Sequence, residues 1–349
     1  MKHQLTAIAL GAMSTLAHAQ SNVTVYGSID AGLRNVTNVN AAGDDRLTMG
    51  SNGTFRSNRI GFRGSEDLGG NLKAVFLLEA GFNTGTGALN NTNSQLFQRE
   101  ARVGLAGSWG QVDLGRQYTV AYKTILAFDP FVYRYPSVTY ALSSTAGTRN
   151  SNDIQYTGNF GDVTLRAEYA LGEVAGSTSQ GAAQAVGATY ASGPVKLGAS
   201  YTRAERNVGT AAAANYRDYD HFAVGGAYTF GKATASVGYV DETQEGAARD
   251  STAKWMWAGL AYKLTPQLGL TGAWYRNKVF NTAASASVAA GDAKRDLYMV
   301  GLTYELSRRT TLYSEIDIQK LNGGYATGGT TRLNQTRQTG ISAGIMHVF

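Results

Sequence analysis

Asp129 is the only acidic residue between Val120 and Arg149. It stands in the run Phe128-Asp129-Pro130-Phe131-Val132-Tyr133-Arg134-Tyr135-Pro136, with Lys123 just upstream. A lone carboxylate among cations makes neither a paired-acid catalyst nor a metal cage, and before Pro130 it can equally be a turn residue. The chain has no cysteine, which removes disulfides and thiolate metal sites. No Gly-x-Ser-x-Gly elbow is present. Beyond the first nineteen residues the histidines are His221 and His347. A Ser-His-Asp arrangement could only involve His221, which has Asp218 and Asp220 nearby. Asp44-Asp45 is a weak calcium hint and nothing more. No enzyme activity, metal or cofactor is therefore expected, and the charges are left with electrostatic work.

The elements that must position those charges come next. Gly115–Asn150 shows no clean period of its own, although strand-like segments flank it. Unstructured loops longer than about 12–15 residues are uncommon inside folded domains, and this one is too aromatic for disorder. It should pack against something. Elsewhere the pattern has period two. Val163, Leu165, Ala167, Tyr169 and Leu171 alternate with Thr164, Arg166, Glu168 and Ala170, and Val195–Tyr201 behaves likewise. Gly187–Tyr190, Gly225–Tyr228, Gly259–Tyr262 and Gly301–Tyr304 each read Gly-x-x-Tyr before a tight turn, at spacings of 34–42 residues. Soluble propellers repeat at about 40–45 residues, so spacing alone does not decide. Segment length does: each strand runs to roughly ten residues, as a tilted membrane-crossing strand requires.

Short turns alternate with longer polar connections, and sixteen strands can be counted between them. The second is read as 56–65, after a polar loop near 36–54. This predicts an all-β fold, a sixteen-stranded antiparallel transmembrane β-barrel, with tyrosines beside the turns forming an interfacial girdle. The last strand, ending at Phe349, should close onto Val23–Leu33, because open edges would face lipid. The aromatic segment then packs inside the barrel and narrows a pore.

Lys2, the apolar run Leu5–Leu16 and Ala17-His18-Ala19 form a secretory signal peptide over residues 1–19, leaving residues 20–349 as a single barrel domain. No later stretch approaches the ~18 continuous apolar residues of a membrane helix. The 31 basic and 25 acidic residues, formal net charge +6, are scattered. No basic stripe suggests a nucleic-acid partner.

The chain resembles the Gram-negative general-diffusion porins. The resemblance rests on Val23-Thr24-Val25-Tyr26-Gly27-Ser28-Ile29-Asp30, on Arg59-Ile60-Gly61-Phe62-Arg63-Gly64-Ser65-Glu66-Asp67-Leu68-Gly69, on Gly104-Leu105 with Gly115-Arg116, and on terminal Phe349. It implies an outer-membrane homotrimer in contact with lipid and lipopolysaccharide, passing small hydrophilic solutes and ions, with its third external loop folded into the pore. It also implies a constriction in which a loop acid, Asp129, faces the wall arginines Arg59 and Arg99. Arg34, Arg63 and Lys73 lie in polar phases of the early strands and could add to the basic side, as could Lys123 on the loop. Each of the arginines, and Lys73, could instead sit at a barrel rim. Alternation from Val103 and Leu105 points Arg102 inward and Arg99 outward, whereas the resemblance turns Arg99 to the pore. Arg116 matches a subunit-contact position. Relatives carry more loop acids than this chain does, so a weak preference for anions is expected. The alternatives are a substrate-specific, saturable porin for a small anionic or sugar-like solute, and a plugged structural or adhesive barrel.

Overall fold

Alternating side chains need two different environments, and the computed structural model supplies them. It describes residues 22–349 apart from 51–52, 92, 143–145, 211 and 286. The signal peptide expected over residues 1–19 lies outside the described residues.

The first third of the chain forms β1 (Asn22–Val36), β2 (Arg46–Met49), β3 (Arg59–Gly69), β4 (Leu72–Gly81), β5 (Glu100–Gly107) and β6 (Gly110–Tyr118). Two short helices follow, α1 (Val120–Leu126) and α2 (Pro136–Ala141). The strands resume as β7 (Arg149–Phe160), β8 (Val163–Ala170), β9 (Ala183–Ser192), β10 (Val195–Asn207), β11 (Tyr216–Phe230) and β12 (Ala233–Gln244). They end with β13 (Ser251–Lys263), β14 (Leu268–Thr282), β15 (Gly291–Glu305), β16 (Thr310–Gly323) and β17 (Arg337–Val348), with α3 (Gly324–Thr327) after β16.

All pairings between strands are antiparallel, and the sheet closes where β1 meets β17, from Ser28 opposite Val348 to Val36 opposite Gly340. Gly27 and Phe349 complete the seam by exchanging backbone hydrogen bonds of 3.1 and 3.2 Å. Sixteen strands circle the barrel. The remaining one, β2, is a four-residue addition beside the outer end of β1. No helix among the described residues is long and apolar enough to cross a membrane, so the strands do the crossing, and closure leaves no backbone edge unsatisfied in lipid.

The two faces differ as the alternation requires. Leu33, Val103, Leu114, Val186, Val237 and Ile341 are exposed outward. Trp109, Phe160, Tyr190, Tyr228, Phe230, Tyr262 and Tyr304 stand exposed at the short-turn ends, as an interfacial girdle would. The opposite phase carries Asp30, Arg34, Glu79, Asp113, Gln155, Glu168 and Asp317, all buried.

The second strand differs from its sequence reading. It begins at Arg59, not at 56, and residues 53–58 turn inward at the first external connection. Asp30 holds that turn. Its carboxylate accepts the backbone N–H groups of Thr54, Phe55 and Arg56 at 3.1, 3.0 and 2.7 Å, and the Tyr313 hydroxyl at 2.6 Å.

Candidate pore constriction

The segment between β6 and β7 lies against inward-facing wall residues. Thr119 caps α1, its Oγ1 accepting the Tyr122 N–H at 3.1 Å, and Glu168 on β8 accepts the Val120 N–H at 2.9 Å. At seven residues α1 is too short to advertise a helical period, which is why none was legible. Val120, Ala121, Thr124 and Ile125 form its buried face.

The wall makes room for the segment at glycines. A β-carbon on Gly187 would stand 2.6 Å from Val120 Cγ1. One on Gly225 would meet the Phe128 ring at 2.7 Å, one on Gly259 would meet Pro130 at 2.3 Å, and one on Gly301 would meet Phe131 at 2.9 Å. These are the four glycines of the Gly-x-x-Tyr repeat. The glycine points into the lumen and the tyrosine, three residues on, points out to the girdle, as the pleat demands. Polar ties finish the docking. The Trp257 indole N–H donates to the Phe128 carbonyl at 3.0 Å, and the Tyr135 N–H donates to the Phe55 carbonyl at 3.1 Å. Phe55, Phe131, Tyr135, Trp257, Tyr275 and Tyr313 share one buried cluster.

Asp129 is enclosed in that packing. Its Oδ1 takes the Tyr275 hydroxyl at 2.5 Å and the Phe131 N–H at 3.3 Å, and its Oδ2 takes the Tyr133 N–H at 2.6 Å. Burial pushes its carboxyl above the usual aspartate range. It forms no ion pair with Arg59 or Arg99 among the described residues. The loop acid anchors its own turn, and the acid beside the arginines is Glu79 of β4.

Glu79 accepts from Arg99 Nε at 2.5 Å and from the Tyr26 hydroxyl at 3.0 Å, with Arg59 Nη1 at 3.6 Å. Arg99 also donates to the Tyr118 hydroxyl at 2.5 Å, as does Arg149 at 2.6 Å. Tyr118 stacks on Tyr122 at 4.6 Å, and Tyr122 leans on Tyr133 at 4.7 Å, so aromatic rings connect the wall arginines to the loop tip. Arg99 and Arg102 both reach inward. β5 begins at Glu100, so strand alternation does not bind Arg99. Arg102 pairs with Asp113 at 2.5 Å.

Two cations that the sequence does not assign to the constriction stand beside it. Arg56, on the inward turn, is held below the usual arginine range by burial and then by the nearby charges of Arg59, Arg134 and Arg99. Arg134, on the loop tip, lies over the Phe55 ring at 4.6 Å. The signal for Arg56 was Asp30, whose buried carboxylate needed donors that its own strand could not provide.

The other candidates lie elsewhere. Arg34 is locked in a buried triad with Glu315 at 2.5 Å and Asp317 at 2.6 Å. Arg63 faces the lumen in register with Thr24, its guanidinium 5.3 Å from the Tyr26 ring. Lys73 is exposed opposite Asp67 near a short turn. Lys123 bonds to Gln155, and burial draws its ammonium below the usual lysine range. Arg116, in the outward phase, donates to the Gln98 carbonyl at 2.6 Å and to Ser151 Oγ at 2.8 Å.

A family profile described as Gram-negative porin matches residues 5–324. The chain belongs to the Gram-negative porin family. Outer membrane porin protein 32 of Delftia acidovorans is 30% identical to this porin over the whole of both chains. Among solved structures, the anion-selective porin from Comamonas acidovorans superposes with a TM-score of 0.79 at 25% identity, covering 95% of this chain and all of that one. The trimer form of OmpT from Vibrio cholerae shares the fold, with a TM-score of 0.68 at 15% identity over 94% of this chain and 99% of its own. The protein is an outer-membrane channel for passive diffusion, crossing the membrane many times as a β-barrel. Its family and fold are those of a channel, not an enzyme.

Proposed function

We propose that this porin passes small hydrophilic solutes and ions with a weak preference for anions. The reading is carried by the gathering of Arg59 and Arg99 on Glu79, with Arg56 and Arg134 close by and Glu100 the acid facing Glu79 across β4 and β5, while the loop acid Asp129 is enclosed. Basic residues around a narrow aqueous gap favour anions, because their field acts where ions are partly dehydrated. Likeness to a porin described as anion-selective supports the same reading. The reversal potential across a bilayer holding the purified protein in a potassium chloride gradient tests it. A potential reporting preference for cations would overturn it.

Export would remove residues 1–19, leaving 20–349 as the barrel among lipid and lipopolysaccharide. Three barrels would associate, as in the trimer form of the Vibrio cholerae protein, with Arg116 near the contact. Arg63, Lys73 and Lys123 would add positive potential along the lumen, and Arg34 would serve the wall. No catalytic activity is assigned. His221 is fully buried in β11.

A further inference from the structure

The outer surface of the barrel changes character near the long-loop ends of β13 to β17. Lys254, Lys278 and Lys294 face one another directly on three neighbouring strands. One step toward the short-turn end, Arg276, Asp296, Lys320 and Arg337 form the next row, on β14 to β17. Both rows lie in the outward phase. Leu260, Val300, Ile316 and Ile341 are exposed at even separations along the same strands, whereas Trp255, Tyr275 and Leu297 are buried on the opposite face. We infer that this patch is a docking site for the phosphate groups of one lipopolysaccharide molecule of the outer leaflet. The inference rests on the outer-membrane channel reading above and adds to it a partner and a place.

Charge comes first. Like charges directly opposite one another destabilise a sheet, because opposed β-carbons are only about 5 Å apart. Three lysines in register therefore call for an anion, and the protein's own acids supply few. Asp296 is enclosed beneath its neighbours. It takes Arg276 Nε at 2.6 Å, Lys294 Nζ at 3.2 Å and the Trp274 indole N–H at 3.2 Å. It aims those cations, and at 4% exposure it offers little surface of its own. Asp241 stands 3.6 Å from Lys254. Asp292, farther out, accepts the Asn281 N–H at 3.0 Å. Lys278, Lys320 and Arg337 form no ion pair among the described residues. The outward face at the same end of β10 and β11 is different: Asp218 answers Arg203 there at 2.5 Å, and Asp220 lies opposite it.

Height comes second. The next row toward the midplane is Trp274, Tyr298 and Ile318, and the one after it Gly272, Val300, Ile316 and Ile341. An aromatic belt marks the border between headgroups and acyl chains. The cations thus stand at headgroup height, with an apolar wall for acyl chains directly beneath. Arg276 and Lys320 lean onto that belt, 5.0 Å from the Trp274 ring and 5.7 Å from the Tyr298 ring. The connections at this end are the long ones, 283–290 and 324–336, which in outer-membrane barrels face the cell exterior. Position around the barrel comes third. β14 is eight strands from β6 in either direction, so an assembly built on Arg116 leaves the patch facing lipid. An anionic headgroup carried on acyl chains matches all three features. Phosphate is the group that clustered ammonium and guanidinium donors hold best.

Deep-rough lipopolysaccharide is the probe, set beside the same molecule stripped of its phosphates. The mature protein, refolded in detergent without lipopolysaccharide, should retain one molecule per barrel in native mass spectrometry. The dephosphorylated form should not be retained, and inorganic phosphate in large excess should not displace the intact one. Lys278→Gln and Lys294→Gln should each weaken retention about fivefold, the scale of one basic residue at an anionic membrane surface. Arg203→Gln, on the flank where acids answer the cation, should leave it unchanged. All three variants should keep the wild-type reversal potential, because their side chains face away from the lumen. No retention by the unmodified protein, equal retention of the dephosphorylated form, displacement by inorganic phosphate, or wild-type retention in the Lys278→Gln/Lys294→Gln double variant would overturn the site. Each of these leaves the channel reading intact, since conductance is measured separately. A protein that conducts no ions would overturn the channel reading, and this inference with it.

Discussion

Tyr275 donates its phenolic hydrogen to Asp129 across 2.5 Å, joining strand β14 to the tip of the segment that enters the barrel. The enclosure of that carboxyl has a pH consequence, which the Tyr275 bond partly offsets. Burial raises the Asp129 carboxyl above its unfolded value, so between the ordinary aspartate pKa and the raised one the docked segment holds a proton that the undocked one has released. Docking is then strongest below the ordinary aspartate pKa, and the added stability is lost as pH rises through the raised value. Hydrogen exchange at the Phe131 and Tyr133 amides should accelerate over that interval. Asp129→Asn, which keeps the acceptor and cannot titrate, should abolish the dependence and leave ion preference nearly unchanged.

The repeat glycines carry a second prediction. Overfilling a packed interface costs about 1–3 kcal/mol, and a β-carbon on Gly259 would sit 2.3 Å from Pro130. Gly259→Leu should therefore push the segment away from the wall and lower single-channel conductance. Gly272→Ala on the outward face of β14, where the nearest atom would be 3.9 Å away, should change neither conductance nor the unfolding midpoint.

Val132 has φ 54°, a left-handed conformation that a β-branched side chain adopts only under constraint. Its neighbours Tyr133 and Tyr135 also have positive φ, at 54° and 68°. Val132→Gly should relieve strain of about 1–2 kcal/mol, partly offset by the greater backbone entropy of glycine in the unfolded chain. A net gain of about 1 kcal/mol in denaturant midpoint analysis is expected.

What the sequence made legible follows from what repeats in it. Strand count, barrel closure onto Val23–Leu33 and the outward tyrosines all rest on alternation, which local residues enforce on their own. Gly-x-x-Tyr was visible as a hairpin repeat, yet the purpose of its glycine was not, because Val120, Phe128, Pro130 and Phe131 are remote in the chain and carry no period. The same reason hid Arg56 and Arg134. Their partners are a turn held by Asp30 and the ring of Phe55, contacts between irregular segments. Asp129 stands out in the sequence as the odd acid of its loop, but its environment depends on Tyr275, 146 residues later.

Arg34 and Arg56 face the same lumen with opposite consequences. Arg34 answers two buried acids, Glu315 and Asp317, so its charge is cancelled locally and contributes little to the field that an ion meets. Removing it would leave both carboxylates buried and unpaired, a loss of the kind that costs about 3–5 kcal/mol. Arg56 forms no ion pair among the described residues and sits in the repulsive company of Arg59, Arg134 and Arg99. Its loss relieves repulsion and weakens the lumenal field together. Arg34→Met should thus lower the unfolding midpoint sharply while the reversal potential of surviving channels stays close to wild type. Arg56→Gln should leave stability equal or higher and move the reversal potential toward cations, and Glu79→Gln, which removes the acid from the same cluster, should move it the other way. Bilayer recordings on the three variants, set beside their unfolding curves in detergent, separate an arginine that holds the wall from one that sets the field.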